Sequence, residues 1–302
     1  MSSNHPGTRY QLSVQEKAGI ENLMRLNLNT EVGWPDLEND TFWGLAISGH
    51  APASTGGLPL NIAATDDEFR RISVAELMEY VEQVRKLPRL KQVNIHPPPR
   101  QWLDETQTAV RQSDYGLMID SIRQIADFTA KSGLDLVLEN LIVCWPRAGV
   151  MSREERFARR IDDPSIPVDL PVDEVDWTDA NVWFGVSPEE WFQICEDVDR
   201  ENVGLCLDSS HACTYAHTFA PERRAEAMMA FVARPELIRH VHWNDSFLDD
   251  SLGRADRHML IGKGTLPVEF HRAVKGLDAT LLLEHFYTIE DLEEELEYIA
   301  RL

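Results

Sequence analysis

The chain has 302 residues, 43% of them hydrophobic, enough to bury one large core or two domains of ordinary size. With 51 acidic against 29 basic residues, its formal net charge of -22 repels polyanions and disfavours DNA or RNA as a partner. Met1 to Gln11 holds no cationic and apolar signal region, and no apolar run approaches the ~18 residues of a membrane span, so a soluble, cytoplasmic protein with no membrane partner is expected. Lysine occurs only at Lys17, Lys86, Lys91, Lys131, Lys263 and Lys275. Adaptation to a salt-rich cytoplasm is therefore a competing source of the charge, and screening there would weaken its effect. Cys144, Cys195, Cys206 and Cys213 form no Cys-x-x-Cys pair and read as reduced thiols.

Short apolar runs ending in a polar residue alternate with amphipathic stretches, the pattern of repeated β-α units around a parallel sheet. In chain order, strands are expected at Tyr10 to Val14 and Trp43 to Ser48, a helix at Val74 to Lys86, a strand at Gln92 to Ile95, a helix at Thr108 to Lys131 and a strand at Leu134 to Leu138. From Leu141 to Val186 the alternation lapses into a stretch rich in Pro, Asp and Trp, too long for an ordinary connection and read as an insertion beside the active-site face. Its arginines between Ser152 and Arg160 suit either an anionic substrate or, more commonly, a solvated helix surface. Alternation then resumes. A helix at Pro188 to Asp197 is capped by Ser187, with Glu190 in capping-box position. There follow a strand at Val203 to Leu207, a helix at Pro221 to Ala233, strands at Ile238 to Val241 and His258 to Ile261, a helix at Pro267 to Lys275, a strand at Thr280 to Leu283 and a helix at Ile289 to Arg301. Eight such units make a (β/α)8 TIM barrel, one domain over residues 1–302, with residues 141–186 inserted after the fourth strand.

Side chains two apart on a strand share a face, so Ser48 aligns with His50, Asn94 with His96, Val137 with Glu139, Cys206 with Asp208, His240 with His242 and Leu282 with Glu284. Each ionisable group falls at a strand's C-terminal end, where barrel active sites lie. A lone strand-end histidine is more often a hydrogen-bonded loop residue than a ligand. Here five of the ten histidines gather at such positions with Glu139, Asp208, Asp256 and Glu284, where buried carboxylates would be costly without a cation. The candidate metal set is His50, His96, Glu139, Asp208, His211, His242, Asp256, His258 and Glu284. Mixed imidazole and carboxylate ligands suit Zn, Mn, Co or Fe better than Ca.

The phrases Leu138-Glu139-Asn140, Leu207-Asp208-Ser209-Ser210-His211, His242-Trp243-Asn244-Asp245-Ser246, Asp256-Arg257-His258 and Leu283-Glu284, with the glycine turn Ile261-Gly262-Lys263-Gly264, resemble the xylose isomerase-like TIM-barrel superfamily. That superfamily includes endonuclease IV and the sugar-phosphate isomerases and epimerases, and the resemblance runs from about His50 to the C-terminus. It implies one to three divalent ions. In endonuclease IV a trinuclear zinc cluster would use the whole ligand set, whereas in the isomerase relatives one metal takes the residues matching Glu139, Asp208, His242 and Glu284. The loop Ala51-Pro52-Ala53-Ser54-Thr55-Gly56-Gly57 lacks the aromatic wedge of the DNA enzyme, and Pro97-Pro98-Pro99 follows His96 in place of its glycine turn. The insertion suits a roofed mouth and a small-molecule substrate.

The resemblance implies an isomerase or epimerase of a small sugar or related polyol working through a metal-stabilised enediolate. Glu139 and Glu284 would carry protons, His211 would orient substrate oxygen, and His50, His96, Arg257 and Lys263 would bind substrate. Asp245, Asn140 and His240 are candidates to hold the ligands in place. The alternatives are an endonuclease IV-like phosphodiesterase and a metal-dependent lyase or hydrolase of a modified sugar. A homo-oligomer is compatible with all three.

Overall fold

The computed structural model describes residues 11–33, 40–55, 58–103, 110–145, 147–151, 168–171 and 183–302. Eight parallel strands are formed: β1 (Gln11–Val14), β2 (Thr30–Val32), β3 (Ala46–His50), β4 (Gln92–Ile95), β5 (Asp135–Glu139), β6 (Val203–Asp208), β7 (Ile238–His242) and β8 (Thr280–Leu283). They lie in the order β1-β8-β7-β6-β5-β4-β3-β2, so β2 to β8 neighbour one another in sequence and β1 pairs with the last strand, β8. α-Helices connect them, except that between β2 and β3 the described residues hold only a short 3-10 turn at Asp40–Phe42. Strands buried on both faces read as near-continuous apolar runs, and β4, β6 and β8 are buried at every residue.

Backbone packing divides the chain into two compact units. One comprises Asn29–Leu141 and Val182–Cys206. Its helices are α2 (Asp67–Val84), α3 (Tyr115–Ala130) and α4 (Pro188–Val198), following α1 (Ile20–Leu26) of the other unit. Val74, Leu77, Val81 and Val84 recur at helical spacing on the buried face of α2, and the Tyr80 hydroxyl on that face donates to the Val32 carbonyl at 2.7 Å. Asp66, Asp114 and Ser187 cap the three helices, accepting from the amides of Phe69, Leu117 and Glu190. The capping box at α4 is only half made. Glu190 accepts from the Gly185 amide and pairs with Arg100 instead of reaching back to Ser187.

The other unit comprises Met1–Leu28, Ile142–Asn181 and Leu207–Leu302. It holds β1, β7, β8 and the end of β6, with α5 (Ser209–Ala216), α6 (Pro221–Ala230), α7 (Val268–Lys275) and α8 (Ile289–Arg301). Val241, Leu281 and Leu283 of the strands are buried, as are Phe270 and Val274 of α7 and Leu292 and Ile299 of α8. The insertion contributes an antiparallel pair, Arg147–Met151 with Val168–Pro171. Its arginine stretch, Ser152 to Arg160, falls outside the described residues.

Several expectations change: α2 begins at Asp67 rather than Val74, and α5 is an unexpected helix. Thr30–Val32 forms an unexpected strand, so His50 and Glu139 end β3 and β5, His96 follows β4, and the insertion follows the fifth strand. His258 to Ile261 is not a sheet strand. Its apolar residues Met259, Leu260 and Ile261 are buried in a loop, where Met259 makes an isolated antiparallel bridge to Asp245. The third helix starts at Tyr115 rather than Thr108, because Val110–Gln112 pairs as a strand with Gln101–Leu103.

Candidate metal centre

In the unit built around β2 to β5, β5 ends on Glu139, a buried carboxylate whose burial needs a counterpart. Its Oε2 accepts a short hydrogen bond from Asn94 Nδ2 on β4. The same oxygen lies 3.4 Å from His50 Nε2 and 3.2 Å from His96 Nε2, and the two imidazoles meet edge to face at 4.9 Å. His50 Nδ1 donates to the Ala51 carbonyl at 3.0 Å, which leaves Nε2 as the ring nitrogen turned toward Glu139. Holding one ring nitrogen on a carbonyl and turning the other inward is how proteins orient a metal-binding histidine. His96 Nε2 is buried and makes no hydrogen bond.

In the other unit, β6 runs directly into α5, and Asp208 belongs to both. Its Oδ1 caps the helix by accepting from the His211 amide at 2.7 Å, while its Oδ2 lies 3.8 Å from His242 Nδ1 at the end of β7. That nitrogen is 3.2 Å from Glu284 Oε2, just beyond β8. Asp208, His258 and Glu284 offer ligand atoms within 4.8 Å of one another. A third grouping adjoins these: Asp256 Oδ1 lies 3.0 Å from His258 Nε2, and Oδ2 lies 3.6 Å from His211 Nε2. His258 Nδ1 donates to the Glu284 carbonyl at 3.0 Å, the same orienting contact seen at His50.

Electrostatics separates the two aspartates. Burial pushes the Asp208 carboxyl up to about 7, opposed by His211 and reinforced by Glu284 and Asp256. Burial acts the same way on Asp256, but His258 and His211 outweigh it and hold that carboxyl well below the usual carboxylate range. A divalent cation would compensate such a set of carboxylates and inward-turned imidazoles, so the donor chemistry fits a borderline metal.

The expected residues divide by where the structure puts them. His50, His96 and Glu139 come together in one unit, and Asp208, His211, His242, Asp256, His258 and Glu284 in the other. Arg257 is fully buried, its Nε donating to the Leu252 carbonyl, and Lys263 Nζ pairs with Glu294 on the helix surface at 2.6 Å. Asp245 shapes the glycine turn: Oδ1 accepts from the amides of Ser246 and Leu266, and Oδ2 from those of Gly262 and Gly264. Gly262 has φ +86°, and a Cβ at Gly264 would come within 2.3 Å of the Ser246 carbonyl, so both positions require glycine. His240 donates from Nδ1 to Thr280 Oγ1 at 2.6 Å, between neighbouring strands. Parity along β4 pointed to Asn94, but its hydrogen bond to Glu139 was not expected. His285 and Glu295, buried beside Asn244, were missed because nothing local distinguishes them from core residues.

Parallel β-α topology defines a (β/α)8 barrel, with carboxylates and imidazoles gathered at its strand ends. The chain belongs to the xylose isomerase-like TIM barrel family, whose family model matches residues 39–168 and 173–302. It is similar in fold to a D-tagatose 3-epimerase-like protein, at 17% identity and TM-score 0.58 over 97% of this chain and 98% of that one. A D-psicose 3-epimerase from Clostridium cellulolyticum H10, solved with D-tagatose, matches at 14% identity and TM-score 0.61 over 96% and 98% of the two chains. An IolI protein with a bound zinc atom matches at 16% and 0.60 over 96% and 97%.

Proposed function

We propose that this protein is a divalent-metal-dependent isomerase or epimerase of a small sugar or related polyol. The observation that carries the reading is the Asp208, His242 and Glu284 grouping at the ends of β6, β7 and β8. The family resemblance adds Glu139 as fourth ligand. Zn, Mn, Co or Fe would suit the set, and the bound ion would polarise neighbouring carbonyl and hydroxyl oxygens so that the carbon beside them loses a proton more readily. Glu284, part-buried and reached by His242, takes that proton as general base, leaving an enediolate. In the same resemblance Glu139 is the second proton carrier. Return of a proton to the same carbon from the opposite side inverts it, and return to the neighbouring carbon moves the carbonyl. His211, its backbone fixed by Asp208, orients a substrate oxygen. A small substrate is supported by the insertion: its strand Val168–Pro171 lies against the turn Ser251–Arg254, and Arg254 stacks on Trp145 at 4.5 Å, just ahead of Asp256. A cytoplasmic location accords with this substrate, and no helix among the described residues is long and apolar enough to cross a membrane.

A second reading, a phosphodiesterase with three ions, is favoured by one observation. His50, His96 and Glu139 form a grouping of their own, as do His211, Asp256 and His258. Metal content by elemental analysis, with turnover on ketose, aldose and phosphodiester panels, separates the two. About one ion per chain, sugar turnover, and loss of both ion and turnover in Glu284→Gln are expected. Replacing His96 and His258 together with Ala should raise KM without lowering metal content. Three ions falling to one or two in that double variant, with phosphodiester cleavage by the parent, would establish the hydrolase.

A further inference from the structure

Behind Asp208, His242 and Glu284 lies a chain of buried polar groups that the proposed chemistry does not use. Glu295 on α8, 3% exposed, has no solvent to compensate its charge. Its Oε1 accepts from the Ile261 amide at 2.6 Å, and its two oxygens lie 2.9 and 3.1 Å from His285 Nε2. The other ring nitrogen, Nδ1, is 2.8 Å from Asn244 Oδ1, so the imidazole is clamped on both sides. The Asn244 amide donates to Ser209 Oγ at 2.7 Å, and that hydroxyl reaches the Asn244 and His242 carbonyls at 2.7 and 3.2 Å. Ser209, Asn244, His285 and Glu295 are all under 5% exposed.

Sequence places each of these contacts beside a candidate ligand. Ser209 follows Asp208, Asn244 lies two residues after His242, His285 follows Glu284, and Ile261 lies three residues after His258. We propose that Glu295 and His285 are positioning residues: the Glu295-His285-Asn244-Ser209 chain fixes the backbones that carry Asp208, His242 and Glu284, with the His258 to Ile261 loop packed beside them, and so sets the spacing of those three residues' ligand atoms. A buried polar pair is weak evidence of stabilisation, because desolvation offsets attraction, but in some proteins such groups specify a single arrangement. None of the four residues need touch substrate or metal. Their effect runs through the main chain.

The inference rests on the metal reading, and two readouts keep the failures apart. The first is Co²⁺ affinity, followed by the ion's visible absorption on adding the metal alone. Glu295→Ala and His285→Gln should each weaken it 10- to 100-fold, the range for residues that orient ligands. Glu295→Gln, which keeps an acceptor for the Ile261 amide, should fall between these and the parent. Leu292→Ala, a cavity on the same helix, should lower Tm and leave Co²⁺ affinity unchanged. The second readout is amide exchange in the metal-free protein, where Glu295→Ala should speed exchange at Asn244 as well as Ile261. Affinity within twofold of the parent in both Glu295→Ala and His285→Gln, or an equal loss in Leu292→Ala, would overturn the proposal. A parent that binds no Co²⁺ would instead sink the metal reading, and unchanged Asn244 exchange would then overturn the framework on its own.

Discussion

Asp208 holds two roles on one carboxylate. Oδ1 ends the strand by capping α5, and Oδ2 is turned toward His242, so the atom that could bind metal is placed by the atom that starts the helix. The roles separate by substitution. Asn caps as well as Asp but is a weaker ligand, so Asp208→Asn should keep the metal-free protein at or above parent stability in urea and lose most of its zinc affinity. Asp208→Ala should lose both, with about 1 kcal/mol of stability gone with the cap. Equal stability in the two variants would show that the cap contributes nothing, and full zinc affinity in Asp208→Asn would remove Asp208 from the ligand set. Strand-end groups such as this were legible in sequence because parity and the C-terminal end of a strand are local properties. Asn94, His285 and Glu295 were not, because each is defined by a partner elsewhere in the chain.

Among the elements, those with a strong period or cap were legible, as were the four-residue strands β4 and β8, and the short polar strand β2 was not. α4 and α8 carry Ser187 and Thr288 caps before amphipathic runs, and both formed nearly where expected. Thr30–Val32 is too short and polar to show alternation, whereas Met259 to Ile261 is apolar because the loop is buried, and burial without pairing mimics a strand. α5 escaped notice because its first turn is the Asp208 to His211 motif itself. Its far end carries a pH-sensitive contact. His217 follows the last turn, 3% exposed, with Nε2 donating to the Phe247 carbonyl at 2.9 Å, and burial pushes its pKa down to about 4 against that hydrogen bond. Between about 4 and the unfolded value of 6.5, the unfolded chain binds more protons at this site, so stability rises with pH through that window and is fully present above it. From pH 7 to pH 4 this group alone should withdraw roughly 2–3 kcal/mol. His217→Gln, which can still donate to Phe247, should give a shallower acid limb in urea titrations across that range. Parallel curves for parent and variant would show that His217 does not titrate there.

At the scale of the whole molecule, the charge of -22 bears on which family chemistry this chain performs. A DNA-directed phosphodiesterase needs arginines and lysines facing phosphates, because that contact supplies most nonspecific affinity. On the described surface Arg25, Arg71, Arg85, Arg200, Arg234 and Lys263 each pair with a carboxylate, so these cations are already neutralised. Such exposed pairs contribute at most about 1 kcal/mol each and could be broken by a polyanion, so pairing alone does not exclude DNA. The net field does more. At about 0.1 M salt, screening acts over roughly 10 Å, and a duplex approaching to contact distance still meets the excess of carboxylates. The protein should therefore show no sub-micromolar binding to duplex DNA with an abasic site at that salt, with or without added zinc, in a fluorescence anisotropy titration. Raising the salt screens the repulsion but weakens the attraction through phosphate contacts as well, so it should not restore binding. Sub-micromolar affinity at 0.1 M together with zinc-dependent strand cleavage would reverse the ranking, because local contacts would then have overcome the net field and the three groupings would be acting on a phosphodiester.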